Sequence, residues 1–306
     1  MQKRLSMLAL SLTVSLSAGA LAAEQSFDAW LEGVRQEARE RKISEAIITA
    51  ALTDIKPIPR VIELDRGQPE FTQTFQQYMA KRITPQLIAY GKKMMLEHRE
   101  ILNEVSQKYG VQPRFIVALW GAETSFGRYT GGFKVVDSLA TLAWDGRRSA
   151  FFRKELFNAL TILNQGHTTA DVMKGSWAGA MGQSQFMPSS YLSFAEDYNG
   201  DGRRDIWETQ SDVFASIANY LSKSGWRDDL TWGRAVDLPK GFDESLVSLD
   251  VTKTMDEWRA LGVRKEGGGA LPTRNIEASV IRPKRGGDAA FLIYQNYRTL
   301  LKWNYS

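Results

Sequence analysis

One carboxylate stands where ordinary helix packing would place a leucine. In the stretch QPRFIVALWGAETSFG, residues 112–127, Pro113 suits the first turn of a helix, where its missing N–H costs nothing, and Gly127 suits the stop. Ile116, Leu119, Trp120 and Glu123 follow the i, i+3, i+4, i+7 rule, so Glu123 shares a stripe with three large apolar side chains. A carboxylate that loses water against an apolar wall has its pKa raised, which a general acid needs to hold a proton near neutral pH. The alternative is a helix-end glutamate that reaches solvent or a backbone N–H.

A second stretch, GSWAGAMGQSQFMPSSY at residues 175–191, places three glycines and two alanines in its first eight positions, with Ser176, Gln183, Ser184 and Gln185 beside them. Such a backbone passes very close to something else. Either it lines a groove and offers amides and hydroxyls to a hydrogen-bonding ligand such as a sugar, or its small residues allow close helix–helix packing. A third stretch, DYNGDGRRDIWE at 197–208, fits the calcium-loop spacing with Asp197, Asn199, Asp201, Gly202 and Glu208, and the backbone carbonyl of Arg203 adds an oxygen. Arg203 and Arg204 weaken that field, and the usual aliphatic position is displaced to Ile206, so an Asp/Asn/Gly-rich turn without metal competes. Arg147 and Arg148 read as a solvated pair or as contacts to an anionic ligand. Tyr78 reads as a packing or interface aromatic, and His167 as a surface or capping residue.

The elements that must position these groups are mostly helical. Residues 27–52 alternate apolar and charged positions as two short helices broken near Lys42, and 56–60, with two prolines, read as extended. A turn at 65–69 precedes a helix over 70–82, one long amphipathic helix covers 87–109, and Gly110 closes it. Residues 129–133 are too glycine-rich for regular structure, 149–164 are a clear helix, and helices at 189–196 and 211–224 flank the third stretch. Beyond Trp226 short apolar runs between glycines and prolines predict strands over 236–294, with a return to helix at 295–303.

The 306 residues, 43% hydrophobic and 24% charged, suit a globular chain with a sizeable core. Lys3 and Arg4, an apolar run at 7–16 and Ala20-Leu21-Ala22 read as a secretory signal over 1–22. That run is short of the roughly 20 residues a spanning helix needs. Removing Lys3 and Arg4 from a net charge of +4 leaves about +2, which points to no nucleic-acid partner. There are no cysteines, which excludes disulfides, thiolate metal sites, a cysteine nucleophile and a lipid anchor on a cysteine. Only His98 and His167 are present, too few for a multi-histidine metal centre.

Taken together, Glu123-Thr-Ser-Phe-Gly127, Ser138-Leu-Ala-Thr-Leu142 with Arg147-Arg148, GAMGQSQFMPSSY at 179–191, the calcium-like loop and Ala218-Asn-Tyr220 resemble the lytic transglycosylase B family. The resemblance implies a mainly α (α+β) chain: a signal peptide at 1–22, an N-terminal helical domain at 23–85, a lysozyme-like catalytic core at 86–235, a small strand-containing insertion at 236–294 and a return to the core at 295–306. Family members continue past this point with an apolar, tyrosine-containing helix, so the resemblance implies a truncated C-terminus.

The resemblance also implies that Glu123 is the sole catalytic carboxylate. It would protonate the glycosidic oxygen between N-acetylmuramic acid and N-acetylglucosamine, then act as base on the muramic C6 hydroxyl, giving a 1,6-anhydro product. Ordinary glycosidases need two carboxylates, and near Glu123 only Asp137 and Asp145 are candidates. By the same likeness Ser176 and Gln185 bind sugar near the acid, Tyr78, Tyr220 and Asn304 line the groove, and Arg147 and Arg148 contact the anionic or peptide-bearing saccharide. Either Glu208 or Asp212 completes one structural calcium site, the chemistry needs no cofactor, peptidoglycan strands are the partner, and the place of action is the periplasm. A goose-type muramidase and a non-catalytic peptidoglycan- or calcium-binding scaffold are the alternatives.

Overall fold

The computed structural model describes residues 26–67, 73–283 and 285–304, so the expected signal at 1–22 lies outside the described residues. Helices α1 (Phe27–Glu40) and α2 (Glu45–Leu52) each begin on a serine whose hydroxyl accepts an amide N–H, Ser26 from Ala29 and Ser44 from Ile47. The break expected near Lys42 is there, with that residue left-handed at φ 63°. The segment read as extended at 56–60 is corrected in part: Pro59 occupies the first turn of α3 (Pro59–Arg66), where its fixed φ favours helix. Helix α4 (Phe75–Arg82) starts on a Thr74/Gln77 capping box and buries none of its residues.

The single helix expected over 87–109 is two, α5 (Pro85–Glu97) and α6 (Arg99–Tyr109), broken at His98. The break seats the imidazole edge-on against Trp120 and Phe214, at 5.7 and 5.3 Å between ring centroids. A periodicity count cannot see an aromatic contact of that kind. Next come α7 (Pro113–Thr124), the two-residue strand β1 (Phe133–Lys134), α8 (Val135–Asp145), α9 (Ser149–Asn164), strand β2 (Lys174–Gly175), α10 (Pro188–Phe194) and α11 (Gln210–Lys223). Helix α8 buries Val135, Val136 and every residue from 138 to 143, so it runs through the middle of the body rather than along its surface. One hydrophobic core takes in side chains from α1 to α3 and from α5 to α11.

The remaining chain forms a second, smaller core around Trp258, whose indole N–H donates to the Ala278 carbonyl at 2.9 Å. Strands β3 (Gly233–Asp237), β4 (Lys253–Thr254), β5 (Arg264–Lys265), β6 (Glu277–Ile281) and β7 (Ala290–Ile293) pair antiparallel in the order β4-β6-β7-β3-β5, and helix α12 (Met255–Ala260) covers them. Helix α13 (Gln295–Trp303) then returns to the first body. Asn296, fully buried, accepts the Arg227 N–H and donates to the Arg227 and Leu230 carbonyls, which fixes the first turn of α13.

The end of α7 is held against strain. Ser125, Phe126 and Gly127 follow one another in the left-handed region at φ 50°, 65° and 77°, which costs roughly 1–2 kcal/mol for each of the two non-glycine residues. Burying the Phe126 ring returns about 1.5–3 kcal/mol, and its contacts with Tyr90 and Trp120, at 5.2 and 5.4 Å, add to that. The ring lies on Gly121, where an added Cβ would come within 2.6 Å of Phe126 Cζ. Gly121→Ala should therefore destabilise the protein by about 1–3 kcal/mol in denaturant unfolding despite the better helix propensity of alanine; unchanged stability would mean that the ring does not clamp this turn.

The turn between α8 and α9 is tied to α3 by charge. Asp65, only 1% exposed, accepts from Arg147 Nε at 2.5 Å and from Arg148 Nη2, while Arg147 Nη2 donates to the Asp65 carbonyl at 2.7 Å. The Arg147 guanidinium, followed by that of Arg148, holds the Asp65 carboxyl below the usual carboxylate range against the opposing effect of burial. Because the folded-state pKa is depressed, this stabilisation is complete above the unfolded carboxylate pKa and is lost as pH falls through the folded value. Asp65→Asn should cost about 2–4 kcal/mol at neutral pH, below the figure for a fully buried pair because both guanidinium groups are half in water. Urea titrations of both proteins should show that gap closing as pH drops below the ordinary Asp range; a gap independent of pH would refute the assignment.

Candidate active site

Glu123 sits in the last turn of α7, half-buried, with Ile116 and Trp120 of its stripe fully buried and Leu119 packed partly against the same core. Burial pushes its carboxyl above the usual carboxylate range, opposed by a hydrogen bond from Trp303 and by the charge of Arg82. The Trp303 indole N–H donates to Glu123 Oε1 at 2.8 Å. Among the described residues these are the two groups that act on this carboxyl, and no second carboxylate is one of them. Asp145, one of the two candidates for that role, is engaged by Arg66 at 2.8 Å. Asp137, the other, is raised by its own burial.

Trp303 reaches Glu123 because α13 is pinned to α11. The Tyr220 hydroxyl donates to the Lys302 carbonyl, Lys302 Nζ donates to the Ser224 carbonyl at 2.7 Å, and the Tyr220 and Trp303 rings meet edge-on at 4.8 Å. Phe186 closes the other side of the indole at 5.3 Å. Tyr220 is therefore close to the acid but buried, and its hydroxyl is held by protein; Asn304 follows Trp303 and is exposed. Tyr78 is 44% exposed on α4, with Arg82, the residue that acts on Glu123, against its ring at 5.6 Å. Arg147 and Arg148 are taken up by Asp65.

The glycine-rich stretch forms tight turns packed against α8 and the loop after α7. Strands β1 and β2 pair antiparallel, Phe133 opposite Gly175, and bridges Gly175 to Met181 and Met181 to Phe186 fold the chain back on itself. An added Cβ at Gly175 would fall 2.0 Å from the Ala180 carbonyl oxygen, at Gly179 2.5 Å from Leu139 Cδ2, and at Gly182 2.6 Å from the Ile206 carbonyl oxygen. All three glycines are thus required by contacts within the protein, made in turns rather than by the helix–helix packing that small residues also allowed. Ser176 Oγ accepts the Ala180 N–H at 3.1 Å, and Gln185 Nε2 donates to the Thr130 and Gly182 carbonyls at 3.0 and 2.9 Å. Gln183 is a structural node, 5% exposed: its Oε1 accepts from the Trp120 indole, its Nε2 donates to the Trp207 carbonyl, and its own carbonyl accepts from Thr124 Oγ1. That node ties the acid's helix to the glycine-rich stretch.

The side chains of the expected metal ligands make hydrogen bonds within their own loop. Asp197 accepts the N–H groups of Gly200, Asp201 and Gly202, Asn199 Oδ1 accepts that of Asp201, and Asp201 Oδ1 accepts that of Arg203. Asp212, fully buried, accepts from the amides of Tyr198 and Asp205, and the Glu208 side chain is exposed. Among the described residues no three His, Cys, Asp or Glu groups stand close enough to hold one ion. His167, expected at the surface, is half-buried with Nδ1 accepting the Arg204 N–H at 3.4 Å, which braces the same loop.

Sequence reasoning missed Trp303 and Arg82 as partners of Glu123 and Asp65 as the partner of the arginine pair, since each lies far along the chain with no periodic signal. Among the described residues no helix is long and apolar enough to cross a membrane.

The chain is 39% identical over 171 residues to the membrane-bound lytic murein transglycosylase B of Escherichia coli (strain K12), a match covering 54% of this chain and 47% of that protein. The chain thus matches about half the length of that curated relative. Its fold is similar to that of SltB3 from Pseudomonas aeruginosa, solved in complex with NAG-anhNAM-pentapeptide and with NAG-NAM-pentapeptide, with a TM-score of 0.89 and 42% identity over 92% of this chain and 76% of that one. It is also similar to the Escherichia coli lytic transglycosylase Slt35 in complex with calcium, with a TM-score of 0.76 and 27% identity over 90% and 87% of the two chains. The lysozyme-like helical fold expected from the sequence is that of these lytic transglycosylases. Residues 26–306 match the Transglycosylase SLT domain, and the chain belongs to that family.

Proposed function

We propose that this chain is a peptidoglycan lytic transglycosylase that cleaves the bond between N-acetylmuramic acid and N-acetylglucosamine with Glu123 as its sole acid and base. One observation carries the reading: a half-buried carboxyl raised by desolvation, with an indole N–H and a distant guanidinium as its only influences among the described residues. A two-carboxylate glycosidase would need a nucleophile or a water-activating base facing it. With a single group, the proton of Glu123 goes to the glycosidic oxygen as the C1–O bond breaks. The muramic C6 hydroxyl then bonds to C1, and its proton returns to Glu123, which leaves a 1,6-anhydro ring and consumes no water. The similarity to SltB3, solved with an anhydro-sugar peptide, supports that product.

In this reading Ser176 and Gln185 contact the sugar through Oγ and Oε1, Tyr78 and the exposed Asn304 line the approach to the acid, and Tyr220 contributes from beneath Trp303. Arg147 and Arg148 would meet the saccharide with the donors that Asp65 leaves unused. The division at 23–85, 86–235, 236–294 and 295–306, export by a signal at 1–22 and action in the periplasm belong to the same proposal.

Glu123→Gln should lower digestion of purified sacculi by about 100-fold or more, and mass spectrometry of the parent's products should show 1,6-anhydro-muramic ends. Reducing muramic ends would instead mark a goose-type hydrolase. Digestion by Glu123→Gln at the parental rate would remove the assignment of the acid, and a parent that digests nothing would favour a binding scaffold.

A structural calcium ion in the 197–212 loop is supported by its hard oxygen donors, by the lone pairs their carboxylates retain beyond the amide bonds, and by the calcium complex of the related Slt35. Melting temperature should rise when calcium is restored after chelation. An unchanged value would leave the loop a self-satisfied turn.

A further inference from the structure

We propose that Trp303 is the positioning residue of the reaction: its indole N–H holds Glu123 Oε1 so that the transferable proton resides on Oε2. The inference rests on the transglycosylase reading of Glu123. An indole N–H donates and cannot accept, and in a neutral acid the carbonyl oxygen is the better acceptor, so the indole bond favours the acid proton on the other oxygen. A hydroxyl, a water or an amide could turn over and accept from either oxygen. With Trp303 at 2.8 Å from Oε1, the neutral acid is biased to one tautomer, in which Oε2 gives the proton and later takes it back.

The surroundings make the indole a fixed donor. Phe186 and Tyr220 enclose it at 5.3 and 4.8 Å, the Tyr220 hydroxyl and Lys302 Nζ bind α13 to α11 on either side of the preceding residue, and Asn296 anchors the far end of the same helix. Among the described residues Arg82 is the charged group that acts on the carboxyl, and the titratable groups of the neighbouring elements are engaged elsewhere. Helix α4 brings Arg82, α11 brings Tyr220 with its hydroxyl held on a carbonyl, and α13 brings Lys302 with its ammonium turned to Ser224. None of them can replace the directional bond, because Arg82 acts on Glu123 by charge alone. The indole also favours the ionised carboxylate and so opposes the rise caused by burial.

Two variants test this. Trp303→Phe keeps an aromatic ring between Phe186 and Tyr220 and removes the donor; 3-benzothienylalanine at the same position keeps the shape of the indole with sulfur in place of N–H. On a soluble peptidoglycan tetrasaccharide, both should lose about 10–100-fold in kcat with KM changed less than about twofold, the pattern of an interaction that matters in the transition state. The alkaline limb of kcat should move to higher pH, because losing the donor raises the pKa of Glu123 and the acid stays protonated for longer. If the benzothienyl protein keeps the parental kcat and pH profile, the inference is overturned, whatever the phenylalanine variant does to melting temperature. Failure of the underlying reading is separate, since it would appear as full activity in Glu123→Gln.

Discussion

Ionising a carboxyl against an apolar wall costs free energy, and the fold around Glu123 is arranged about that cost. Full desolvation of a lone charge would be worth many kcal/mol and would leave a permanently neutral acid. Full exposure would leave an ordinary glutamate, ionised at neutral pH. The observed arrangement lies between: half-burial at the end of α7 raises the pKa, and one indole N–H together with the charge of Arg82 limits the rise. A group that must give a proton and then recover it needs both states within reach, and this balance of burial against one directional donor supplies them.

Holding that balance requires parts of the chain that are far apart in sequence. The acid comes from residue 123 and its donor from residue 303, and they meet only because Tyr220 on α11 grips the last turn of α13. The sheet takes part through its exit: β7 leads directly into α13, and Asn296 binds the first turn of that helix to the carbonyls of Arg227 and Leu230. On the opposite side, the left-handed run at 125–127 ends α7 sharply and turns the chain toward β1, and the Phe126 ring offsets the strain. The small sheet thus determines where α13 begins, and therefore where the indole ends.

Much of this was legible in the sequence. The stripe of Ile116, Leu119, Trp120 and Glu123 marked both the helix and the inward carboxyl, and the limits of α9 were readable from its pattern because a helix buried along one side repeats at its own period. The break at His98 and the helical start at Pro59 were not readable that way. The first depends on two aromatic rings from other helices, and the second on a proline that serves equally well in an extended segment or a first turn. The calcium spacing marked a loop of hard oxygen donors, yet spacing does not record that those oxygens also accept loop amides. Trp303 carried no signal at all, because a tryptophan at a helix end reads as packing until its neighbour is known.

The glycine-rich stretch carried two readings, and its internal contacts account for the glycines. Glycines at 175, 179 and 182 are demanded by contacts with Ala180, Leu139 and Ile206, so they let the loop close on the protein rather than on a ligand. Most polar groups of that loop are likewise spent inside it, with Gln183 fully engaged and the Gln185 amide nitrogen tied to two carbonyls. In the proposed reading such a loop would offer a sugar a rigid backbone with few side-chain donors still available. Binding then depends on pre-organisation more than on the number of hydrogen bonds, since little conformational entropy remains to be lost. A wall of this kind suits an acid whose proton is fixed on one oxygen, because a directional proton is useful only if the bond it must reach is held equally still.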